Sequence, residues 1–438
     1  MLLVYTHKVT PRLTYTFKHF FTRILKIQVD FTTKVEEFIA HKDLKLSYAK
    51  HPLGKEIFIR STNLLFEQGI NDIEMHMGKW DDTVCFFHSR QDATIPFDIF
   101  AATFYLVSRY EEYLPHVKDK YGRFIAEESL AYKHKFLEKP LIDIWAYKFK
   151  ALLKEKFPEF QFTERRFKYI STIDVDIAYS YKHKGIIRTI GGYFNDLTKF
   201  KVLDLWHRTL VLWGFKQDPF DTYDELLDFQ KQFNISTIFF FLVGDYTTYD
   251  KNISSRNTKY KSLIKSIADY ADVGLHPSYF TMKNEEMLKK EKLRLENILN
   301  RPVIKSRQHF LRLDMPETYQ HLVNLEINED YTMGYAAHYG FRASTCTPFY
   351  FYDLDYEIQT PLKVHPFAVM DGTLRDYLEL SNKRAYEVIM RLAQEVKKVD
   401  GTFITLFHND TLSNKGRWRR WKKVYIDIFK QISAISEI

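Results

Sequence analysis

The chain has 438 residues, 45% of them apolar and 16% aromatic, and carries a net charge of +8. The length alone suggests roughly three units, and since a single α/β barrel can absorb about 250 residues, two domains fit as well. Its two cysteines, Cys85 and Cys346, exclude a disulfide framework and a cysteine-based metal site.

The positive charge permits attraction to phosphate, anionic glycans or a membrane surface. It comes without an Arg-rich tract, zinc-finger spacing or an RNA-binding aromatic motif, so no nucleic-acid partner is expected. No apolar run approaches the roughly 18 residues of a spanning helix, so no transmembrane segment is expected. The apolar start at Met1 to Tyr5 is too short for a signal-peptide core. A cytoplasmic protein is expected, and nothing in the sequence sets its oligomeric state.

In chain order, residues 57–59 and 84–87 read as short strands, and residues 97–110 and 142–157 carry apolar side chains at helical spacing. These place a smaller α/β domain over residues 1–165, with a boundary at Glu164-Arg165-Arg166. Asp81, Asp82 and His88 stand alone there and read as turn and surface residues. Beyond the boundary, strand-like and helix-like pieces alternate, the pattern of a parallel sheet with crossover helices. Strands are expected at 169–173, 235–243, 272–276, 303–306, 331–333, 362–370 and 402–407. Helices are expected at 260–270 and at 282–299, the second with glutamates early and an arginine late, as a helix dipole favours. Near the end, Trp418, Trp421, Tyr425, Ile428, Phe429 and Ile432 share one helical face, so this basic tail is expected to pack on the sheet domain rather than to anchor in lipid.

Most of these strands end in polar chemistry. The sharpest case is Ser171-Thr172-Ile173-Asp174-Val175-Asp176, a β-branched run that closes on two carboxylates. Period-two spacing points Asp174 and Asp176 to one side at a strand's C-terminal end, where parallel α/β folds place their chemistry. Two such carboxylates repel, and a cation between them keeps both ionised. The same pair would also serve an Asp-rich turn or a helix cap. Further strands end at Asp245, His276, Arg307 with His309, Asp371, and His408 with Asp410, the layout of a barrel's active face.

On these residues, 166–438 resemble the polysaccharide deacetylases of the NodB-homology type, carbohydrate esterase family 4. Thr172-Ile173-Asp174-Val175-Asp176 is similar to the Asp-x-Asp form of that family's first motif. The run from Ser236 to Gly244 resembles its Ala-Thr-Phe-Phe strand, and Asp272-Val273-Gly274-Leu275-His276 the strand into its second motif. Arg307 falls at the third-motif arginine, and Leu406-Phe407-His408 resembles the closing Leu-x-His. The whole chain is similar to a Bacteroidetes-type branch with an extra N-terminal domain. The implied fold is α/β, an irregular (β/α) barrel preceded by the smaller α/β domain.

Carried over residue by residue, the resemblance implies Asp174 as general base, Asp176 and His276 as metal ligands, and His408 as general acid. Arg307 would orient the base, and Asp371 would support the acid histidine. One position departs. The family places a second histidine one helical turn after the first, and here Phe280 stands in that place. A phenyl ring cannot ligate zinc, and catalytic zinc keeps three protein ligands. Either another residue supplies the third, the metal is held weakly, or the site is dead. His309 is the best substitute, ahead of His338 and His365.

The implied activity is metal-dependent removal of an acetyl group, N- or O-linked, from a sugar or surface-polysaccharide precursor, with a divalent cation, zinc, as cofactor. Two rivals remain at this point: a degenerate deacetylase-like glycan-binding protein, and a scaffold in polysaccharide assembly.

Overall fold

The computed structural model describes residues 1–89 and 92–437. Four short strands, β1 (Leu2–Thr6), β2 (Val29–Thr32), β3 (Lys45–Ala49) and β4 (Ile57–Arg60), form a parallel sheet in the order β2-β1-β3-β4. Helix α1 (Pro11–Phe17) follows β1. Its cap is Thr10, whose hydroxyl accepts from Leu13 N, and Pro11 occupies the first turn, where a missing N–H costs nothing. Helix α2 (Val35–Ala40) leads to β3, and a small hairpin of β5 (Gly78–Trp80) and β6 (Thr83–Cys85) follows β4. Next come α3 (Ile99–Val107), α4 (Tyr110–Tyr113), α5 (Leu130–Lys133) and α6 (Leu141–Lys156). Every residue of α3 is buried, because Asp98 caps its first amide groups and apolar side chains surround the rest.

The second sheet has nine strands in the order β12-β13-β11-β10-β9-β8-β7-β15-β14. They are β7 (Lys168–Val175), β8 (Ser236–Phe241), β9 (Asp272–Leu275), β10 (Lys305–Ser306), β11 (Glu329–Asp330), β12 (Phe349–Asp353), β13 (Ile358–Val364), β14 (Val369–Met370) and β15 (Thr402–His408). All neighbours are parallel except the β12–β13 pair. Two helices, α7 (Ile186–Thr198) and α8 (Val202–Leu212), precede the crossover α9 (Tyr223–Phe233) between β7 and β8. The remaining helices are α10 (Thr258–Ala268), α11 (Glu285–Leu299), α12 (Glu317–Asn324), α13 (Asn382–Lys397) and α14 (Trp421–Glu437). The expected α/β architecture is present: a barrel-type parallel sheet preceded by a smaller α/β region. Its strands run from β12 to β14, with no pairing between those two among the described residues. From β7 the chain steps outward through β8, β9 and β10, and later returns to β7's other side as β15. Such a reversal of strand order is where open parallel sheets place ligands.

Two strands differ from the sequence expectation for local reasons. The strand expected at 331–333 stops at Asp330, because that carboxylate takes both the backbone N–H and the hydroxyl of Thr332, each at 2.8 Å, and turns the chain. The strand expected over 362–370 splits into β13 and β14 around His365-Pro366, where proline has no N–H to give the ladder. The tail does pack inward. Trp421, Tyr425, Ile428 and Phe429 of α14 are buried, the Tyr425 and Phe429 rings lying 6.1 Å from Phe229 and 5.6 Å from Tyr169.

Residues before 165 meet the larger sheet along its β12–β13 edge. Tyr15 Oη donates to Tyr350 O at 2.8 Å, and Arg12 Nε to Glu357 Oε2 at 2.9 Å. Deeper in the same contact, Asp143 of α6 is fully buried. It accepts from Arg165 Nη2 (2.8 Å), Thr345 Oγ1 (2.6 Å), Cys346 N (3.0 Å) and Thr347 Oγ1 (2.5 Å). Removing it strands the Arg165 guanidinium in the interior. Asp143→Ala should therefore lower unfolding free energy by about 3–5 kcal/mol in a denaturant titration. A change below about 1 kcal/mol, the scale of an exposed ion pair, would contradict this.

Candidate metal centre

Strand β7 stays apolar and β-branched until Asp174 and Asp176, and its neighbours set what faces them. β15 pairs in register with β7, so His408 lies opposite Asp174. His276 N donates to Phe241 O at 3.0 Å, and Arg307 N to Leu275 O at 3.0 Å, so both residues prolong the ladders of β9 and β10. Four strand ends thereby deliver Asp174 and Asp176, His276, Arg307 and His408 to one place. His309 arrives two residues after Arg307, its N–H bonded to Pro277 O at 3.1 Å.

Asp176 is the centre of this group. Its Oδ1 lies 3.1 Å from His276 Nε2, and its Oδ2 lies 3.5 Å from His309 Nε2 and 3.8 Å from His408 Nε2. Each ring is held from behind. His276 Nδ1 donates to Arg307 O at 2.5 Å, which leaves Nε2 with a free lone pair, since a carbonyl can only accept. His309 Nδ1 bonds Asp250 Oδ1 at 2.8 Å, and His408 Nδ1 bonds Asp371 Oδ1 at 2.8 Å. Asp371 also takes the His408 backbone N–H (2.8 Å) and the Thr411 hydroxyl.

The electrostatics follow from this crowding. Burial pushes the Asp176 carboxyl up, but His309 and His276 outweigh it and hold it well below the usual carboxylate range. Burial alone would discharge His309, yet Asp176 and Asp250 hold its imidazole up at about 9. His408 is likewise raised, burial being outweighed by Asp371.

Asp176, His276 and His309 offer one carboxylate oxygen and two imidazole nitrogens within 4.8 Å of one another. Asp176 Oδ1 is buried, and no described donor makes an aligned hydrogen bond to it. Tetrahedral zinc with bonds near 2.0–2.1 Å needs donors roughly 3.3 Å apart. The two carboxylate oxygens of Asp176 lie 3.1 Å (Oδ1) from His276 and 3.5 Å (Oδ2) from His309, and the three donor atoms fall within 4.8 Å, so a small shift of these side chains would close them on such a cation. Imidazoles steered by a carbonyl and a carboxylate are the usual support for metal-binding histidines.

Arg307 is fully buried between the rings of Phe240 (5.0 Å) and Phe367 (5.3 Å). Its Nη1 reaches Asp174 Oδ1 at 3.2 Å and Thr172 Oγ1 at 2.6 Å, and its Nε bonds Tyr331 O at 3.0 Å. Asp174 Oδ2 lies 3.7 Å from His276 Nε2. A cavity of about 250 Å³ opens over the group, lined by both aspartates and by His276, His309 and His408. Arg123, from the smaller α/β region, also lines it and donates to Phe310 O at 2.7 Å.

Phe280 is 45% exposed and stands apart from the triad. Pro277 follows His276, and Ser278 is extended, so the short helix Tyr279–Lys283 begins too late to put residue 280 one turn above His276. His309, not residue 280, lies beside Asp176 and His276. His338 bonds Glu127 at 2.7 Å, His365 stacks on Tyr331 at 4.4 Å, and Asp245 pairs with Arg294 at 3.0 Å; none of these lines the cavity. Sequence reasoning missed Asp250. It lies in the irregular loop after β8, where no periodicity marks it, although Thr247 three residues earlier bonds its carboxylate at 2.7 Å.

Residues 2–158 match DUF7033, a family of unknown function. None of the curated proteins matches the chain. Among solved structures, a candidate polysaccharide deacetylase from Mycobacterium smegmatis overlaps 63% of this chain and 87% of its own, with 14% identity and a TM-score of 0.40. A polysaccharide deacetylase from Bacillus cereus overlaps 61% of this chain and 88% of its own, with 13% identity and a TM-score of 0.29. A CE4-family pseudoenzyme from Bacillus anthracis overlaps 61% of each chain, with 12% identity and a TM-score of 0.32.

Two measurements check this geometry. Asp250→Ala should weaken divalent-cation affinity by about 10–100-fold, read by calorimetric titration, because the His309 ring loses its support; equal affinity would remove Asp250 from that role. The second concerns Glu291, whose carboxylate accepts from Ser278 N at 2.8 Å and from Ser278 Oγ at 2.5 Å, in the loop after His276. Burial pushes its carboxyl from 4.5 up to about 7. The folded state thus binds this proton more tightly than the unfolded one. The resulting stability is complete below about pH 4.5 and is lost as pH rises to about 7. Glu291→Gln should remove that loss, a difference of up to about 3 kcal/mol between pH 5 and 8. Parallel wild-type and variant stability curves would refute it.

Proposed function

We propose that the chain is a metal-dependent hydrolase that removes an acetyl group, N- or O-linked, from a sugar or a surface-polysaccharide precursor. The observation that carries this reading is the placement of an Arg-held carboxylate, Asp174, and a carboxylate-held imidazole, His408, on adjacent strands beside the Asp176–His276–His309 triad. In this reading residues 166–438 form the hydrolase, and residues 1–165 form a domain of their own whose bounds are close to the 2–158 match.

Asp176, His276 and His309 would hold the cation, with zinc favoured by the two imidazoles, one carboxylate and compact spacing. When bound, it supplies polarisation of a water and of the acetyl carbonyl. The proton chemistry belongs to the protein. Arg307 occupies Asp174 Oδ1 and leaves Oδ2 toward the triad, where it can take a proton from water. Asp371 holds His408 Nδ1, so its Nε2 faces the site and can give a proton to the departing amine or hydroxyl. Acid and base then serve different atoms of the substrate, as hydrolysis requires. Leu311, Ala336, Met370 and Leu406 supply the apolar part of the cavity wall, against which an acetyl methyl group can rest.

His408→Asn and Asp174→Asn should each lower turnover of an acetylated oligosaccharide by roughly 10²–10⁴-fold while metal content stays that of the wild type. Deacetylation is read by release of acetate from a panel of N- and O-acetylated sugars. The reading fails if zinc-loaded wild type releases none from any of them, or if both variants match it.

A further inference from the structure

The segment between β7 and α9 carries an apolar surface that no function assigned so far uses. Helices α7 and α8 form a hairpin whose inward side is polar. Arg208 Nη2 meets Asp196 Oδ2 at 2.7 Å, both residues buried, and Tyr193 Oη bonds Thr209 Oγ1 at 2.9 Å. Gly192 lets the guanidinium lie against the α7 backbone, since a Cβ there would come within 2.4 Å of Arg208 Nη1.

The outward side is the apolar one. Ile187, Ile190, Phe194 and Leu197 follow one another at helical spacing along α7, and all are exposed, Ile187 at 88%. On α8 the exposed residues are Val202, Leu203 and Trp206, with Trp213 and Phe215 just beyond. Phe200, in the turn that joins the two helices, is 90% exposed. A hairpin folded for water would turn these side chains inward and the Arg208–Asp196 pair outward. Contiguous exposed apolar surface of this extent marks an interaction site.

Charge identifies the occupant. Apart from the buried Arg208–Asp196 pair, residues 182–216 hold six lysines and arginines against one aspartate, within a chain whose net charge is only +8. Two copies of this face would meet with like charge, whereas an anionic lipid surface is complementary to it. Apolar helix faces rich in Phe, Trp and Leu and bordered by Lys and Arg lie in the plane of a membrane interface. No described helix is long and apolar enough to cross a membrane, so the hairpin would lie on the bilayer rather than span it. We infer that α7 and α8 dock the protein on an anionic lipid bilayer. The inference is independent of the hydrolase reading.

The docking face is rooted beside the cavity. The Asp218 carboxylate accepts from Ser180 N (2.7 Å) and Tyr181 N (2.8 Å) and so closes the base of the hairpin. Asn409 Nδ2, next to His408, donates to Ile177 O at 3.2 Å and to Phe220 O at 3.1 Å, where the chain leaves the cavity and where it returns.

Flotation of the full chain with vesicles tests the inference. With vesicles of one part phosphatidylglycerol to two parts phosphatidylcholine, the protein should bind more than about tenfold tighter than with phosphatidylcholine alone, and added salt should weaken this. A variant carrying Ile187→Asp and Leu203→Asp, both at exposed positions, should lose vesicle binding by at least about tenfold with an unchanged thermal midpoint. A second variant, Lys199→Glu with Lys201→Glu, should lower binding to the anionic vesicles alone. The inference is overturned if wild type fails to float with either vesicle, or binds both equally. It is also overturned if wild type is a dimer in sedimentation equilibrium that Ile187→Asp with Leu203→Asp splits, which would make a second copy the occupant.

Discussion

One carboxylate organises the candidate site. Asp176 faces the Nε2 atoms of His276, His309 and His408 within 3.8 Å, and its shielded Oδ1 has no aligned donor among the described residues. A buried acceptor without a partner costs about 1–3 kcal/mol, and a cation at that position would remove the cost. The arrangement also constrains the sheet. Side chains alternate along a strand, so a one-residue slip of β7 against β15 or β8 would turn both aspartates to the opposite face. The long in-register pairings of β7, with β15 from Lys168 to Asp174 and with β8 from Ile170 to Val175, oppose such a slip.

Holding Asp174 ready requires a second concession. Arg307 is wholly buried, and its Nη2 lacks an acceptor among the described residues. Burying a guanidinium is unfavourable unless it is well paired. Asp174, Thr172 and Tyr331 provide the pairing, and the faces of Phe240 and Phe367 stabilise the charge on either side. The same Arg307 fixes His276 through its carbonyl. Asp174 and His276 therefore share one anchor, and a shift of β10 would disturb both together.

Most of this site was legible in the sequence because strand ends leave strong local signals. A β-branched run that stops at carboxylates, as at Asp174 and Asp176, combines period and polarity in a few residues. His276, Arg307 and His408 followed the same rule. His309 was named from its place two residues past Arg307, and the turn at Pro277 gives the physical reason that residue 280 stands away from His276. Asp250 was illegible: loop carboxylates are common, and its partner lies 59 residues away. The two-residue strand β11 exists by pairing alone, too brief for periodicity to mark, and so lies just before the strand expected at 331–333. The α7–α8 hairpin has the helical period, but period reports a face without saying whether protein or something else covers it.

That hairpin interrupts the crossover from β7 to β8, which a parallel pair could make with α9 alone. Its position ties surface to site. Asn409 bridges Ile177 and Phe220, so the two roots of the hairpin are joined one residue from Asp176 on one strand end and one from His408 on the other. Arg188 of α7 donates to Lys251 O at 2.7 Å and Asn252 O at 2.8 Å, immediately after the Asp250 that steers His309. The hairpin is thus joined to the loop that carries Asp250 and to the strand ends of the candidate site through two short, hydrogen-bonded paths. Whatever covers the apolar face is thereby brought close to the cavity.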